Sequence, residues 1–301
     1  SGGTESNNLA LFGLPRSSLI ISVVEHPAIA APAERLEAEG VPVVRWPVDE
    51  HGVVRLGTIT PGALVSVMHS NNETGVLQPI AELARLAHRH GALLHTDASQ
   101  SVGKVAVDVR ALEVDALTVC GHKLYAPKGV GALFVKKGVP LRPFMLGANH
   151  ERGVRPGTEN VVSIVGLGVA AELARRTSIA EEKRVSALRD ELVARLRLLV
   201  PGLAVNGDGA PRLPNTASVR FPRVLGSAIL QASPGIAAST GSACHDGHET
   251  ASAIILAMGI PASEAEGTVR LSLGRTTTLA DVAAAADALG TAWQRVASAQ
   301  R

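Results

Sequence analysis

The chain has 301 residues, 46% of them hydrophobic and 19% charged, which supplies enough apolar material for a sizeable core divided over two lobes. Lysine and arginine total 29 against 27 acidic residues, a formal charge of +2, and the basic residues are scattered rather than gathered into a stripe, which argues against a nucleic-acid partner. No apolar run approaches the length of a membrane span, and SGGTESNNLALFGL lacks the basic-then-apolar pattern of a secretory leader, so the sequence reads as a soluble, cytoplasmic protein with no membrane partner.

Taken in chain order, ESNNLALFGL has a helical pattern, and short Val/Ile/Leu runs then alternate with helical stretches. SLIISVVE (18–25) and ALVSVMHS (63–70) read as strands, IAELARLAHRHG (80–91) as a helix, and ALLHTDA (92–98), ALTVC (116–120) and GALFV (131–135) as further strands. Such alternation predicts a mostly parallel sheet covered by helices on both faces. From about 160 to 200 the pattern is long helix, ending at Pro201-Gly202. Beyond it come strand-like NTASVRF (215–221), a polar segment (238–252), strand-like VRLSL (269–273) and a last helix beginning LADVAAAADALG, which together predict a smaller α/β lobe.

Ligands of open α/β sheets collect beyond the carboxyl ends of the strands, and the residues there are unusually polar. SLIISVVE leads to His26, ALVSVM to HSNNETG, ALLH to TDASQS and ALTVC to GHK. One such residue is ordinarily a helix cap or a turn. Four ends together match the needs of pyridoxal phosphate: a lysine to hold the cofactor covalently, an acid for the pyridine nitrogen, an aromatic ring to stack and a phosphate cradle. Lys123 is the candidate anchor, expected in a partly desolvated setting. Asp97 is the candidate acid and His26 the stacking ring. SGGTES, with two glycines and a threonine ahead of a helical pattern, is the candidate cradle.

The ordered motifs GGTESNNLA, EHPAI, NNETGVLQPI, HTDASQSVGK, GHKLYAPKGVGALFV, RPGTEN, STGSACH and RLSLGRTTT resemble the cysteine desulfurase and selenocysteine lyase family. This is the class V aminotransferase branch of the fold-type I pyridoxal phosphate enzymes. The resemblance runs through nearly the whole chain. It implies a large, mostly parallel sheet domain covered by helices (1–180) that binds the cofactor, and a smaller C-terminal α/β domain (181–301) that carries a catalytic cysteine loop. It makes Lys123 the Schiff-base lysine, Asp97 the pyridinium partner, Gln100 the donor to the cofactor's phenolic oxygen and His26 the stacking, catalytic histidine. Gly3, Thr4 and His122 are implied to reach the phosphate, and Asn72 to lie beside the cofactor. Thr158 would contact the phosphate of the other subunit of a homodimer, and Arg270 would clamp the substrate carboxylate. The family also carries a segment ahead of GGTES that this sequence, starting at Ser1, does not include.

The chain has two cysteines and no CxxC motif. Cys120, inside ALTVC, reads as a buried small hydrophobe; the resemblance aligns it with a phosphate-binding serine of some relatives, so it also counts as a cofactor contact. Cys244 lies in polar STGSACHDGHET beside His245, a setting that favours a reactive thiolate. The resemblance assigns it the attack on the substrate's sulfur, giving an enzyme-bound persulfide and L-alanine. L-cysteine is the first substrate expected and L-selenocysteine the alternative, towards which RPGTEN, RLPNT and ACH lean. The sulfur acceptor, whether an iron–sulfur scaffold, a thiolation enzyme or a small thiol, is not legible.

Two other readings compete. A G-x-G-x-x-A match at Gly166 suggests a nicotinamide enzyme, but it falls in a helical run rather than a strand–turn–helix unit. Cys244, His245, His248 and Glu249 are possible metal ligands, at a spacing unusual for zinc.

Overall fold

The computed structural model describes residues 1–240 and 251–299. They divide into two compact units. The first comprises Ser1–Pro47, Val54–Asn71 and Gln78–Ser178; the second comprises Val48–Val53, Asn72–Leu77 and Ile179–Arg301.

The first unit is built from α1 (Gly3–Gly13), β1 (Leu19–Ser22), α2 (Pro27–Ala38), β2 (Val43–Trp46), β3 (Leu64–Ser66), α3 (Ile80–Arg89), β4 (Leu93–Asp97), β5 (Ala116–Cys120) and β6 (Gly131–Val135). Its six strands lie in the order β2-β1-β3-β4-β5-β6, parallel except for the last pair. Alternate residues of a strand point to opposite faces, and both faces are apolar here. Leu19 and Ile21 of β1 and Leu64 of β3 pack with Leu11 of α1 and Ile29 and Leu36 of α2. Ile20, Val65, Leu94 and Leu117 pack on the other face with Ile80, Leu83, Ala84 and Ala87, which form the single apolar stripe of α3. The expected sheet covered on both faces is therefore present.

Two elements of this unit were absent from the chain-order reading, while the long helix expected from about 160 to 200 is present. The elements α2 and β2 were not foreseen: α2 is alanine-rich with Pro32 inside it, and β2 is an edge strand with exposed Val44 and Arg45, so neither shows a clear period. The long helical region is one helix, α4 (Val161–Leu199). Gly166 lies inside α4 and not in a turn between a strand and a helix, which removes the nucleotide-loop context its motif needs.

The second unit contains β7 (Ala204–Val205), β8 (Thr216–Arg220), α5 (Gly226–Gln231), α6 (Ala253–Ala257), α7 (Ala262–Ala265), β9 (Thr268–Ser272) and α8 (Leu279–Ala299), with the C-terminal half of α4. Its three strands are antiparallel. Ala217, Val219, Val269 and Leu271 from the sheet, Leu192 and Leu196 from α4, and Val282, Ala286 and Leu289 from α8 make its core. Among the described residues no helix is long and apolar enough to cross a membrane.

Candidate active site

Strand order in the first unit reverses at β1, with β2 on one side and β3 on the other, and a crevice at the carboxyl ends of such strands is where ligands bind. Beyond β1 the chain reaches Glu25 and His26. His26 caps α2: its Nδ1 accepts from the backbone N–H of Ala28 at 3.0 Å, ahead of Pro27 in the first turn. An accepting Nδ1 places the ring proton on Nε2. Burial lowers the basicity of His26, the Asp97 carboxylate opposes this and the Lys123 charge adds to it. The result is a neutral, fixed imidazole that senses both Asp97 and Lys123.

At the end of β4, Asp97 is buried and held by two donors. Asn7 Nδ2 of α1 donates to Oδ2 at 2.6 Å, and the backbone N–H of Ser99 donates to Oδ1 at 2.8 Å, closing a short turn through the side chain. A carboxylate offers about four lone-pair directions, so capacity remains for a ring N–H. Gln100 follows. Lys104 Nζ donates to its backbone carbonyl at 2.8 Å and to its Oε1 at 3.3 Å, which turns the amide so that the NH₂ end points away from Lys104. Burial and the Lys123 charge bring the Lys104 amine down to about 8.

At the end of β5, Cys120 pairs with Gly131, and Gly121–Lys123 form a single tight turn. Gly121 is required: its N–H donates to the Val130 carbonyl at 3.0 Å, and a β-carbon there would lie 2.7 Å from that oxygen. The turn ejects the next two side chains from the sheet, leaving His122 and Lys123 exposed. This corrects the expectation of a partly desolvated Lys123: the turn carries it past the covered strands. Slight burial lowers the basicity of His122, and Lys123 and Lys128 lower it further. Cys120 is buried, as its apolar context predicts, with Sγ 3.3 Å from His122 Nδ1.

The start of α1 adjoins this turn. A β-carbon on Gly3 would lie 3.0 Å from Ser99 Oγ, 3.3 Å from Cys120 Cβ and 3.6 Å from its Sγ, so the absent side chain leaves a gap lined by these two residues. No side chain caps α1, and Ser99 Oγ is buried without a hydrogen-bond partner. Unclaimed helix N–H groups, a glycine gap and an unmatched hydroxyl are the donor set a phosphate requires, so the residues present fit a phosphorylated cofactor. Thr4 is exposed in the same first turn. Glu5 is drawn down to about 2, chiefly by Arg155, whose Nε donates to Oε1 at 2.7 Å. Thr158 lies exposed three residues after Arg155.

Asn72 and Arg270 belong to the second unit. Arg270 sits on β9 opposite Ser218, also bridges to Ser239, and donates from Nη1 to the Asn72 carbonyl at 2.9 Å. Asn72 Oδ1 is buried without a partner. Next to it, Glu73 accepts from Ser252 Oγ at 2.6 Å; burial raises its pKa, against that hydrogen bond and the Arg270 charge. Cys244, with His245, His248 and Glu249, lies outside the described residues.

Several residues here escaped sequence reasoning. Asn7 stands one turn beyond Gly3 on α1, a spacing that places both on one face. Ser99 stands between two residues that were singled out, Asp97 and Gln100. Glu25 is fully buried, accepts at Oε1 from Ser22 Oγ at 2.6 Å and from the N–H of Met68 at 3.0 Å, and is pushed up to about 8 by burial. Only its place before His26 marked it.

The model of the aminotransferase class-V family matches residues 1–284. The cysteine desulfurase NifS of Azotobacter vinelandii is 47% identical over 290 residues, covering 92% of this chain and 72% of that protein. A cysteine desulfurase of Gluconacetobacter diazotrophicus is 46% identical over 295 residues, with 94% and 74% covered. In structure, a NifS-like protein from Rickettsia africae superposes with a TM-score of 0.86 at 28% identity, over 98% of this chain and 80% of that one.

Proposed function

Because the chain belongs to the aminotransferase class-V family, whose members use pyridoxal phosphate, we propose that it is a pyridoxal phosphate-dependent cysteine desulfurase. The observation that carries this reading is the buried Asp97, held by Asn7 and Ser99, whose charge acts with that of Lys123 on one neutral histidine, His26. When bound, the cofactor's protonated ring supplies an electron sink that lets bonds of the substrate amino acid break.

The chain's own residues take these parts. Lys123 Nζ anchors the cofactor and exchanges protons with the substrate. Asp97 accepts the ring N–H, and His26, neutral and fixed by its cap, lies on the ring face. Gln100, its amide turned by Lys104, donates to the phenolic oxygen. Gly3, Thr4 and His122 hold the phosphate, with Cys120 lining the same gap. Arg270 binds the substrate carboxylate, and Asn72 lies beside the cofactor. Cys244 accepts the sulfur: L-cysteine and the Cys244 thiol give L-alanine and a Cys244 persulfide, with atoms and electrons balanced and no outside oxidant. The persulfide then passes its terminal sulfur to an acceptor thiol or protein. Residues 1–180 act as the cofactor domain and 181–301 as the domain carrying the sulfur-accepting loop. The sparse cysteine usage favours a cytoplasmic location.

A homodimer completes the reading. Val161, Val162, Val165 and Val169 are exposed along one stretch of α4, with Val162 84% exposed, an apolar strip that favours burial against a second copy. In that dimer Thr158 serves the partner's phosphate.

The test is borohydride fixation of the cofactor followed by peptide mapping, with alanine release measured on L-cysteine and L-selenocysteine in the presence of an excess of a reducing thiol that carries the sulfur or selenium away. Label on Lys123 and alanine from L-cysteine support the proposal. Label elsewhere, or none, rejects it, and release from selenocysteine alone moves the substrate to the selenium analogue.

A further inference from the structure

We propose that Ser99 supplies the hydroxyl that binds the cofactor phosphate, at a point where Cys120 supplies none; this rests on the cofactor reading above. A buried hydroxyl without a partner costs stability, so a built site with one is expected to meet an acceptor. Ser99 Oγ is such a hydroxyl, and it looks into the gap left by the missing Gly3 side chain. The other side chain lining that gap is Cys120, and a thiol is a weak donor whose sulfur here lies 3.3 Å from His122 Nδ1. Ser99 is also held in place: its N–H is committed to Asp97 Oδ1 at 2.8 Å.

The chemistry of the cofactor fits this turn. Its ring nitrogen and the arm bearing its phosphate are attached at ring positions separated by one carbon, so the ligands for the two must come from neighbouring points of the protein. Asp97 and Ser99 leave the end of β4 two residues apart, joined by a hydrogen bond. One turn thus serves both the ring acid and the phosphate. The acceptor is a phosphate dianion, and the hydroxyl proton of Ser99 is the one donated.

Apo protein titrated by absorbance with pyridoxal phosphate and with pyridoxal, which lacks the phosphate, tests the proposal. Ser99→Ala should weaken pyridoxal phosphate on the order of tenfold, as for a hydrogen bond to a charged group, while pyridoxal binds as before. Ser99→Thr, which keeps the hydroxyl, should retain the preference for the phosphorylated form. Equal weakening of both ligands would show that Ser99→Ala merely disturbs the turn, and an unchanged preference, or the same loss in Ser99→Thr, also overturns the proposal. If the unsubstituted protein binds neither ligand, the cofactor reading itself fails and this inference with it.

Discussion

Asn7 on α1 and Asp97 at the end of β4, 90 residues apart in sequence, meet through a 2.6 Å hydrogen bond in which Asn7 Nδ2 donates to Asp97 Oδ2. In the proposed site, the helix whose N-terminus would hold the phosphate thus also orients the acid assigned to the ring, and the two halves of the cofactor site would share one support.

That link makes Asn7 a positioning residue with a measurable effect. Asn7→Ala leaves Asp97 with a single donor and should cost about 1–3 kcal/mol of stability, the price of a buried polar group losing its partner. It should lower turnover less than Asp97→Asn, which removes the negative charge proposed to keep the ring nitrogen protonated. Asp97→Asn should retain some cofactor and lose most alanine formation. Near-normal rates in Asp97→Asn would reduce this residue to a turn former, and Asn7 with it.

Lys104 is expected to act through Gln100. Its amine, brought down to about 8 by burial and by Lys123, donates to Gln100 Oε1 at 3.3 Å and to the Gln100 carbonyl at 2.8 Å. Lys104→Met keeps the length of the side chain but releases the amide. The visible absorption of the bound cofactor should then titrate at a shifted pH, as it should in Gln100→Ala, and the double variant should shift no further than either single one. Additive shifts would mean that Lys104 acts as a charge rather than through Gln100.

Glu25 gives the fold a pH dependence of known sign. Its folded pKa is raised from 4.5 to about 8, so between those values the folded chain holds a proton that the unfolded chain releases. The stability it contributes is full below 4.5 and is lost as pH rises through about 8, at a slope of up to about 1.4 kcal/mol per pH unit. Glu25→Gln mimics the protonated form and should flatten this decline. Urea unfolding of apo protein from pH 5 to 8.5 should show the variant gaining on the unsubstituted chain as pH rises. A difference that stays constant with pH would remove Glu25 as the source.

How much of this was legible follows from where each residue's signal resides. The sheet of the first unit was readable because its strands are short apolar runs and α3 has a clean apolar stripe. Edge strand β2 and proline-containing α2 gave no period, so they emerged only in three dimensions. Asp97, His26 and Lys123 stood out as polar residues at strand ends. Asn7 and Ser99 did not, because an asparagine on a helix and a serine in a turn are common surface choices until burial removes their water. The exposure of Lys123 was missed because composition does not reveal that Gly121 forces a tight turn against Val130.

Cys244→Ser separates cofactor chemistry from sulfur transfer. The substitution leaves Lys123, Asp97 and His26 untouched, so the protein should keep the visible absorption of bound cofactor and still show a spectral change on adding L-cysteine. Alanine formation should nearly vanish, because a serine hydroxyl at neutral pH is a far poorer nucleophile towards sulfur than a thiolate. On L-selenocysteine the loss should be smaller: a selenol ionises more readily than a thiol and the carbon–selenium bond is weaker, so expulsion needs less help from an attacking group. Alanine release from both substrates, normalised to cofactor occupancy, provides the measurement. Undiminished alanine from L-cysteine would take Cys244 out of the reaction. Cys120 could not simply replace it, since that thiol is buried at the end of β5 beside His122, and the sulfur would then have to pass directly to a free thiol, such as a second molecule of L-cysteine, giving L-alanine and a small-molecule persulfide.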